Sequence, residues 1–204
     1  MINEEFALFY GVMLGDGCLS EVGKCHFISI SCNFHSDQLF ISSILPLIEE
    51  IRGKKVRAYD RSDQGKIEII FSDKRLFSYL KELGFPVGRK GPNLTILKEF
   101  QPFMKQVTQG FLATDGCVIV INNNGTLYPR IELSSISKQL LEQFREYLLS
   151  MEINSKVYVA HQQKENWHIK YRLQINGKKN LIAFKDKIGF INPKHQQKYD
   201  QFIG

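Results

Sequence analysis

The sequence has no apolar run approaching the ~20 residues that a membrane-spanning helix needs, so no helical membrane span is expected. Its four cysteines, Cys18, Cys25, Cys32 and Cys117, form no CxxC pair. Neither a structural zinc site nor a dithiol redox motif is therefore indicated, and reduced thiols in a cytosol-like compartment are the expectation. The opening residues, "MINEEFALFYG", carry two acids and no basic segment, so no secretory signal is expected. A bacterial or archaeal cytoplasm and an organelle matrix fit equally well. No single sign of charge dominates: 27 Lys and Arg against 21 Asp and Glu leave a formal +6. That surplus points to a polyanionic partner only if the positions of the charges agree. What the chain does have is 43% apolar residues in 204, enough for a packed core in one domain or two small ones.

The conspicuous feature is a repetition. Residues 9–18 read "FYGVMLGDGC" and residues 108–117 read "TQGFLATDGC". Each is an apolar, helix-like run closing on Asp-Gly-Cys. One Asp-Gly is an ordinary turn signal; two at half-chain spacing indicate an internal duplication. The flanking patterns repeat as well. A helix over residues 3–15 is followed by an alternating strand (26–33), a capped amphipathic helix opening at Ser36-Asp37, two further strands (54–61 and 66–72) and a short helix ending at Gly84. Pro46 is a blemish in the second of these helices. A helix from Glu99 to Thr114 is followed by strands "CVIVIN" and "YPRIELSS", an amphipathic helix, a hairpin joined through "QQKE", and a closing helix. The expectation is an α+β fold built from two αββαββα units: an N-terminal subdomain over residues 1–90, a linker over 91–98 and a C-terminal subdomain over 99–204.

Period-2 alternation assigns faces to the strands. Ile28, Ile30 and Cys32 oppose Ser29, Ser31 and Asn33; Ile67, Ile69 and Phe71 oppose Lys66, Glu68 and Ile70. Lys55, Arg57, Tyr59 and Arg61 share a face, as do Arg130, Glu132 and Ser134, and Lys156 and Tyr158. In the last strand His168, Lys170, Arg172 and Gln174 oppose Trp167, Ile169, Tyr171, Leu173 and Ile175. These outward sets are rich in the side chains that bond phosphates and base edges, and a two-stranded ribbon fits the major groove. A solvated basic sheet would look the same on this evidence alone.

The duplicated runs also carry small residues at tight spacing, Gly11 and Gly15 in one, Gly110 and Ala113 in the other. Helical glycine costs ~1 kcal/mol against alanine, and close helix–helix approach is a reason to keep it. Packed about a pseudo-two-fold axis, the two helices would bring Asp16 and Asp115 together at their C-terminal ends. Two carboxylates at the negative ends of helix dipoles favour a hard divalent cation such as Mg²⁺.

With these residues in view, "FYGVMLGDG" and "TQGFLATDG" resemble the two motifs of the LAGLIDADG homing endonucleases, in the form that carries both copies in one chain. Gly11 and Gly110 match the motif's first glycine, and Asp16-Gly17 and Asp115-Gly116 its closing Asp-Gly; Phe9 and Thr108 stand where leucine is usual. The resemblance implies two antiparallel, saddle-shaped sheets over the DNA major groove, with the motif helices packed at the interface. It implies a monomer that hydrolyses both strands of a long double-stranded DNA site with Mg²⁺, leaving 3′ overhangs. Mn²⁺ is expected to substitute, and Ca²⁺ to support binding without cleavage. By position, Asp16 and Asp115 would hold the metal with help from the carbonyls of Gly15 and Thr114. Lys90 would be the basic residue of the first half. Aligning "LGFPVGRKGPN" with "IGFINPKHQQK" places His195, next to Lys194, in the second. Asn33 and Ser135 are further polar candidates near the metal. An RNA-binding intron maturase, with host intron RNA as partner, and a non-cleaving DNA-binding protein are the alternatives on the same fold; both acids are retained here, which favours the nuclease. Cys18 and Cys117 read as small buried packing residues and Trp167 as core. His26, His35 and His161 show no ligand spacing, and Lys98, Lys105, Lys178 and Lys179 read as solvated surface. "QQKYDQFIG" reads as a short docking segment.

Overall fold

The computed structural model describes residues 2–160 and 168–203. The first half runs α1 (Glu4–Gly15), β1 (Gly17–Val22), β2 (Cys25–Asn33), α2 (Gln38–Arg52), β3 (Ala58–Arg61), β4 (Lys66–Ser72) and α3 (Lys74–Leu83). A 3-10 helix over Lys98–Phe103 leads into α4 (Met104–Asp115), β5 (Gly116–Asn123), β6 (Thr126–Ser135) and α5 (Lys138–Ser150). The chain then forms β7 (Lys156–Val159), β8 (Tyr171–Asn176), α6 (Lys178–Lys187) and α7 (Pro193–Ile203). Two four-stranded antiparallel sheets result, ordered β1-β2-β4-β3 and β5-β6-β8-β7. The α+β class and the doubled helix–strand order agree with the sequence reading. His161, Trp167 and the "QQKE" connection lie outside the described residues.

Local chemistry explains most boundaries. The Phe6 N–H donates to Asn3 Oδ1 at 2.9 Å, the Leu76 N–H to Asp73 Oδ1 at 3.0 Å and the Leu140 N–H to Ser137 Oγ at 3.2 Å, which caps α1, α3 and α5. Gly53 and Gly84 take φ of 70° and 104° and end α2 and α3 in the left-handed conformation. Asn124 and Gly125, both at positive φ, make the tight turn between β5 and β6. Pro46 lies inside α2, which continues through it to Arg52. The helix expected from Glu99 splits into the 3-10 segment, with Pro102 inside it, and α4.

Two further elements depart from the reading. β1 begins directly at Gly17, pairing Gly17 with Ile30 and Cys18 with Ser29; its six residues are too few and too mixed to announce a strand. The C-terminal segment is a full helix, α7, packed against β5 and α2.

The core is continuous across both halves. α1 is buried on almost every side, from Phe6 to Gly15, as a helix at the centre of a domain must be. Tyr10 stacks on Phe100 with centroids 3.7 Å apart, and Phe111 on Phe144 at 4.9 Å. Residues 94–97 are sewn to both halves. The Ser137 hydroxyl donates to the Leu94 carbonyl at 2.6 Å, and the Gln143 amide brackets Ile96 through bonds of 2.8 and 3.2 Å. The Leu97 N–H donates to the Tyr10 hydroxyl at 3.1 Å. Among the described residues no helix is long and apolar enough to cross a membrane.

Candidate functional site

The site begins with how closely α1 and α4 approach. A Cβ on Gly11 would overlap the Val107 carbonyl, one on Gly110 the Leu8 carbonyl and the Val12 nitrogen, and one on Gly15 the Thr114 side chain. Only glycine permits this backbone contact. The helices end side by side, and Asp16 and Asp115 adjoin at their C-termini.

Asp16 and Asp115 are half-buried, and no hydrogen bond or ion pair among the described residues engages either carboxylate. Burial, then the charge of Asp115, raises the Asp16 carboxyl from 3.8 to about 7. Burial likewise raises Asp115, against the opposing charges of Lys90 and Lys170. Two carboxylates that resist ionising side by side are a donor set that a hard divalent cation would relieve. The residues present therefore fit such an ion.

Lys90 is delivered by the chain after α3. The Gly88 N–H donates to the Leu19 carbonyl at 2.7 Å and Val87 bridges to Leu19, laying this segment along the edge of β1. The Lys90 ammonium then donates to the carbonyls of Met13 (3.0 Å), Leu14 (2.9 Å) and Gly15. It neutralises the free end of α1, and burial pushes it below the ordinary lysine range, against the raising influence of Asp115 and Asp16. The Gly15 carbonyl thus already accepts from Lys90. The Thr114 hydroxyl turns back to donate to the Gly110 and Phe111 carbonyls at 3.3 and 3.1 Å.

The second half differs. At the end of α4 the corresponding cap is Asn192, whose amide donates to the Ala113 carbonyl at 2.9 Å and to Asp37 Oδ1 at 3.0 Å. Lys194 donates to the same Asp37 oxygen at 2.6 Å. Burial alone would raise Asp37; the bonds from Lys194 and Asn192 hold it below the usual carboxylate range. Expected as a helix cap, Asp37 makes no side-chain cap bond and instead joins α2 of the first half to the chain entering α7. His195 is 1% exposed, and burial, with the charges of Lys194 and Lys198, pushes its imidazole down to about 4. It is a neutral buried ring beside Phe190, where Lys90 is an ammonium on three carbonyls. Asn33 and Ser135 are taken up locally: Asn33 Oδ1 accepts from the His35 and Ser36 N–H groups, and Ser135 Oγ from the Ser137 N–H.

The outward faces assemble largely as the alternation indicated. In the first sheet the rows are Ser31–Glu68–Tyr59 and Asn33–Lys66–Arg61, with Ser29 beside Cys18. Lys55 and Arg57 precede β3, and Lys55 donates to Glu49 Oε2 at 2.9 Å. In the second sheet the rows are Glu132–Gln174–Lys156 and Ser134–Arg172–Tyr158, with Arg130 opposite Asn176. His168 and Lys170 are exposed just before β8, and the charge of Lys170 reaches Asp115. Cys18 and Cys117 are half-buried on these polar faces rather than packed in the core; this corrects the expectation, since each glycine begins a strand and the residue after it falls on the polar face. The sequence marked Asp37 only as a candidate helix cap and did not single out Asn192, because the two partners lie 155 residues apart in the chain.

Comparison with known proteins agrees with this geometry. Residues 104–189 match the LAGLIDADG-like domain. The sequence is 33% identical over 202 residues to a probable translation initiation factor IF-2 of Methanocaldococcus jannaschii, covering 93% of this chain and 15% of that protein. It is 29% identical over 209 residues to the replicative DNA helicase DnaB of Rhodothermus marinus, covering 96% of this chain and 21% of that one. The chain spans about a fifth or less of these relatives, whose names share no activity. Among solved structures, it resembles the homing endonuclease I-DmoI in complex with DNA and Mn, with a TM-score of 0.65 and 18% identity over 91% of this chain and 96% of that one. I-DmoI with DNA and Ca gives a TM-score of 0.65 at 16% identity, over 98% of each chain. The chain has the two-sheet fold of the single-chain LAGLIDADG homing endonucleases.

Proposed function

We propose that a chain with this fold and a LAGLIDADG-like domain is a site-specific endonuclease that hydrolyses both strands of a long DNA target with a divalent metal, leaving 3′ overhangs. The observation that carries the reading is the pair of half-buried, unengaged carboxylates, Asp16 and Asp115, where α1 and α4 end between two polar-faced sheets. A cation held by the two acids, Mg²⁺ or Mn²⁺ by the chemistry of the donors, would polarise the scissile phosphate and acidify a bound water. The residues of the chain do the rest. Lys90 compensates the α1 terminus and supplies positive charge beside the acids. Arg61, Lys66, Arg130, Lys156, Lys170 and Arg172 neutralise phosphates or read base edges, and Gln174 and Tyr158 lie among them. Both motif copies sit in one chain, so the active form is a monomer, of the kind carried within introns or inteins.

The test is a cleavage selection on a randomised duplex library, run in parallel with Mg²⁺ and Ca²⁺, with the cut ends sequenced. The expected result is one long, pseudo-symmetric site, cut with Mg²⁺ and only bound with Ca²⁺. Absence of cutting and of any enriched duplex sinks the reading and makes structured intron RNA the ligand to try.

A further inference from the structure

Glu132 is anomalous for a surface that would meet DNA. It lies on the outward face of β6, yet it is only 5% exposed, and its cover consists of the residues that would contact the nucleic acid. Arg130 Nη1 donates to Glu132 Oε1 at 3.2 Å, and Gln174 Nε2 donates to the same oxygen at 2.9 Å. Arg172 Nη1 lies 3.7 Å from Oε2. Arg130 is held a second time, its Nε donating to Asn176 Oδ1 at 2.7 Å. Three long side chains from β6 and β8 thus converge on one buried carboxylate.

We infer that Glu132 is a positioning residue for base recognition: it does not touch the DNA but fixes the reading poses of Arg130, Arg172 and Gln174. The inference rests on the endonuclease reading and names what that surface discriminates with. Two physical effects support it. A carboxylate only accepts hydrogen bonds, so it fixes which end of the Gln174 amide faces inward and leaves the oxygen directed away. Holding three flexible side chains before the ligand arrives also removes part of the ordering cost that each would otherwise add to binding. In addition, the negative charge cancels one of the two guanidinium charges. The cluster therefore attracts any phosphate less while holding its donors for the right base.

The first sheet has a looser counterpart. Glu68 accepts from the Ser31 hydroxyl at 3.3 Å and lies 3.6 Å from Lys66 Nζ. It gathers one lysine where Glu132 gathers two arginines and a glutamine, so base discrimination is expected to be stronger in the half-site under β5–β8.

The test uses the full chain with Ca²⁺ and compares wild type, E132Q, R172A and the E132Q/R172A double variant. Each is used to retain duplexes from a randomised library, and each is titrated onto a random-sequence duplex by fluorescence anisotropy. E132Q keeps the size of the side chain but loses its charge. It is expected to bind random duplex two- to fivefold more tightly and to lose roughly tenfold discrimination over a contiguous block of one half-site. In the R172A background the E132Q substitution is expected to cost much less discrimination. A merely structural role would weaken random and specific binding together. That pattern, or an unchanged motif in E132Q, overturns the inference. If wild type itself enriches no duplex, the DNA-reading function fails and this role with it. Should E132Q not fold, E132D retains the charge at shorter reach and is expected to lose the same block of discrimination without the gain in random binding. No loss in E132D then overturns the inference.

Discussion

At the scale of single residues, the energetics of the site turn on Asp16. Its folded pKa of about 7 lies well above the ordinary 3.8, so the metal-free fold favours the protonated acid. The stability associated with that proton is fully present below pH ~4 and is lost as the pH rises through about 7. Asp16→Asn is therefore expected to melt about 5 °C above wild type at pH 8 in EDTA, with the gap narrowing as the pH falls and closing near pH ~4, read by calorimetry. The same substitution, or Asp115→Asn, is expected to abolish double-strand cleavage while leaving affinity for the selected site within a few-fold. Wild-type cutting by either variant would show that the acids do not act as a pair. On the proposed endonuclease reading, stability and catalysis oppose one another here, because the feature that makes the apo fold reluctant to ionise would make it ready for a cation.

At the scale of elements, the α1–α4 contact has a cost structure that mutation can read. Replacing an unconstrained helical glycine by alanine would gain up to ~1 kcal/mol of helix propensity. At Gly110 the added methyl meets the Leu8 carbonyl and the Val12 nitrogen of the neighbouring helix. Overpacking against backbone costs about 1–3 kcal/mol, so Gly110→Ala is expected to lower the melting temperature by about 3–10 °C. Separating the helix ends is expected to cost more in cleavage than in binding. Gly91→Ala, where a Cβ meets nothing within 4 Å, is the control and is expected to leave both unchanged. A neutral Gly110→Ala would mean the helices are not seated as described. Legibility at this scale followed regularity. Glycine spacing, caps and alternating strands were plain in the sequence, whereas β1 was too short to show a period, and α7 opens on Pro193 in a segment of mixed polarity.

At the scale of the whole molecule, the two halves are alike in path and unlike in chemistry. Lys90 places an ammonium on three carbonyls at the end of α1, while the end of α4 has the neutral amide of Asn192, with Lys194 drawn to Asp37 and His195 buried. A pseudo-symmetric site flanked by unequal charge is expected to cut its two strands unequally. In a single-turnover time course with Mg²⁺, nicked duplex is expected to accumulate, broken mainly in one strand. Equal nicking of both strands would show that Lys90 and the Asn192–Lys194 cluster are interchangeable.

The sequence by itself determined the duplication, the α+β class, the paired Asp-Gly positions and most of the outward polar faces. Each of these is a local or periodic property, written in a few consecutive residues and repeated. Only the tertiary structure decided the rest. Asn192 caps the end of α4 while His195, aligned with Lys90 as the basic partner, is buried, Asp37 became the bridge between halves, and Glu132 became the buried centre of an arginine cluster. Those outcomes depend on which groups meet across 42 to 157 residues of chain. A hydrogen bond over that separation leaves no period in either segment, because what selects it is the shared need of buried polar groups for partners once the core has closed.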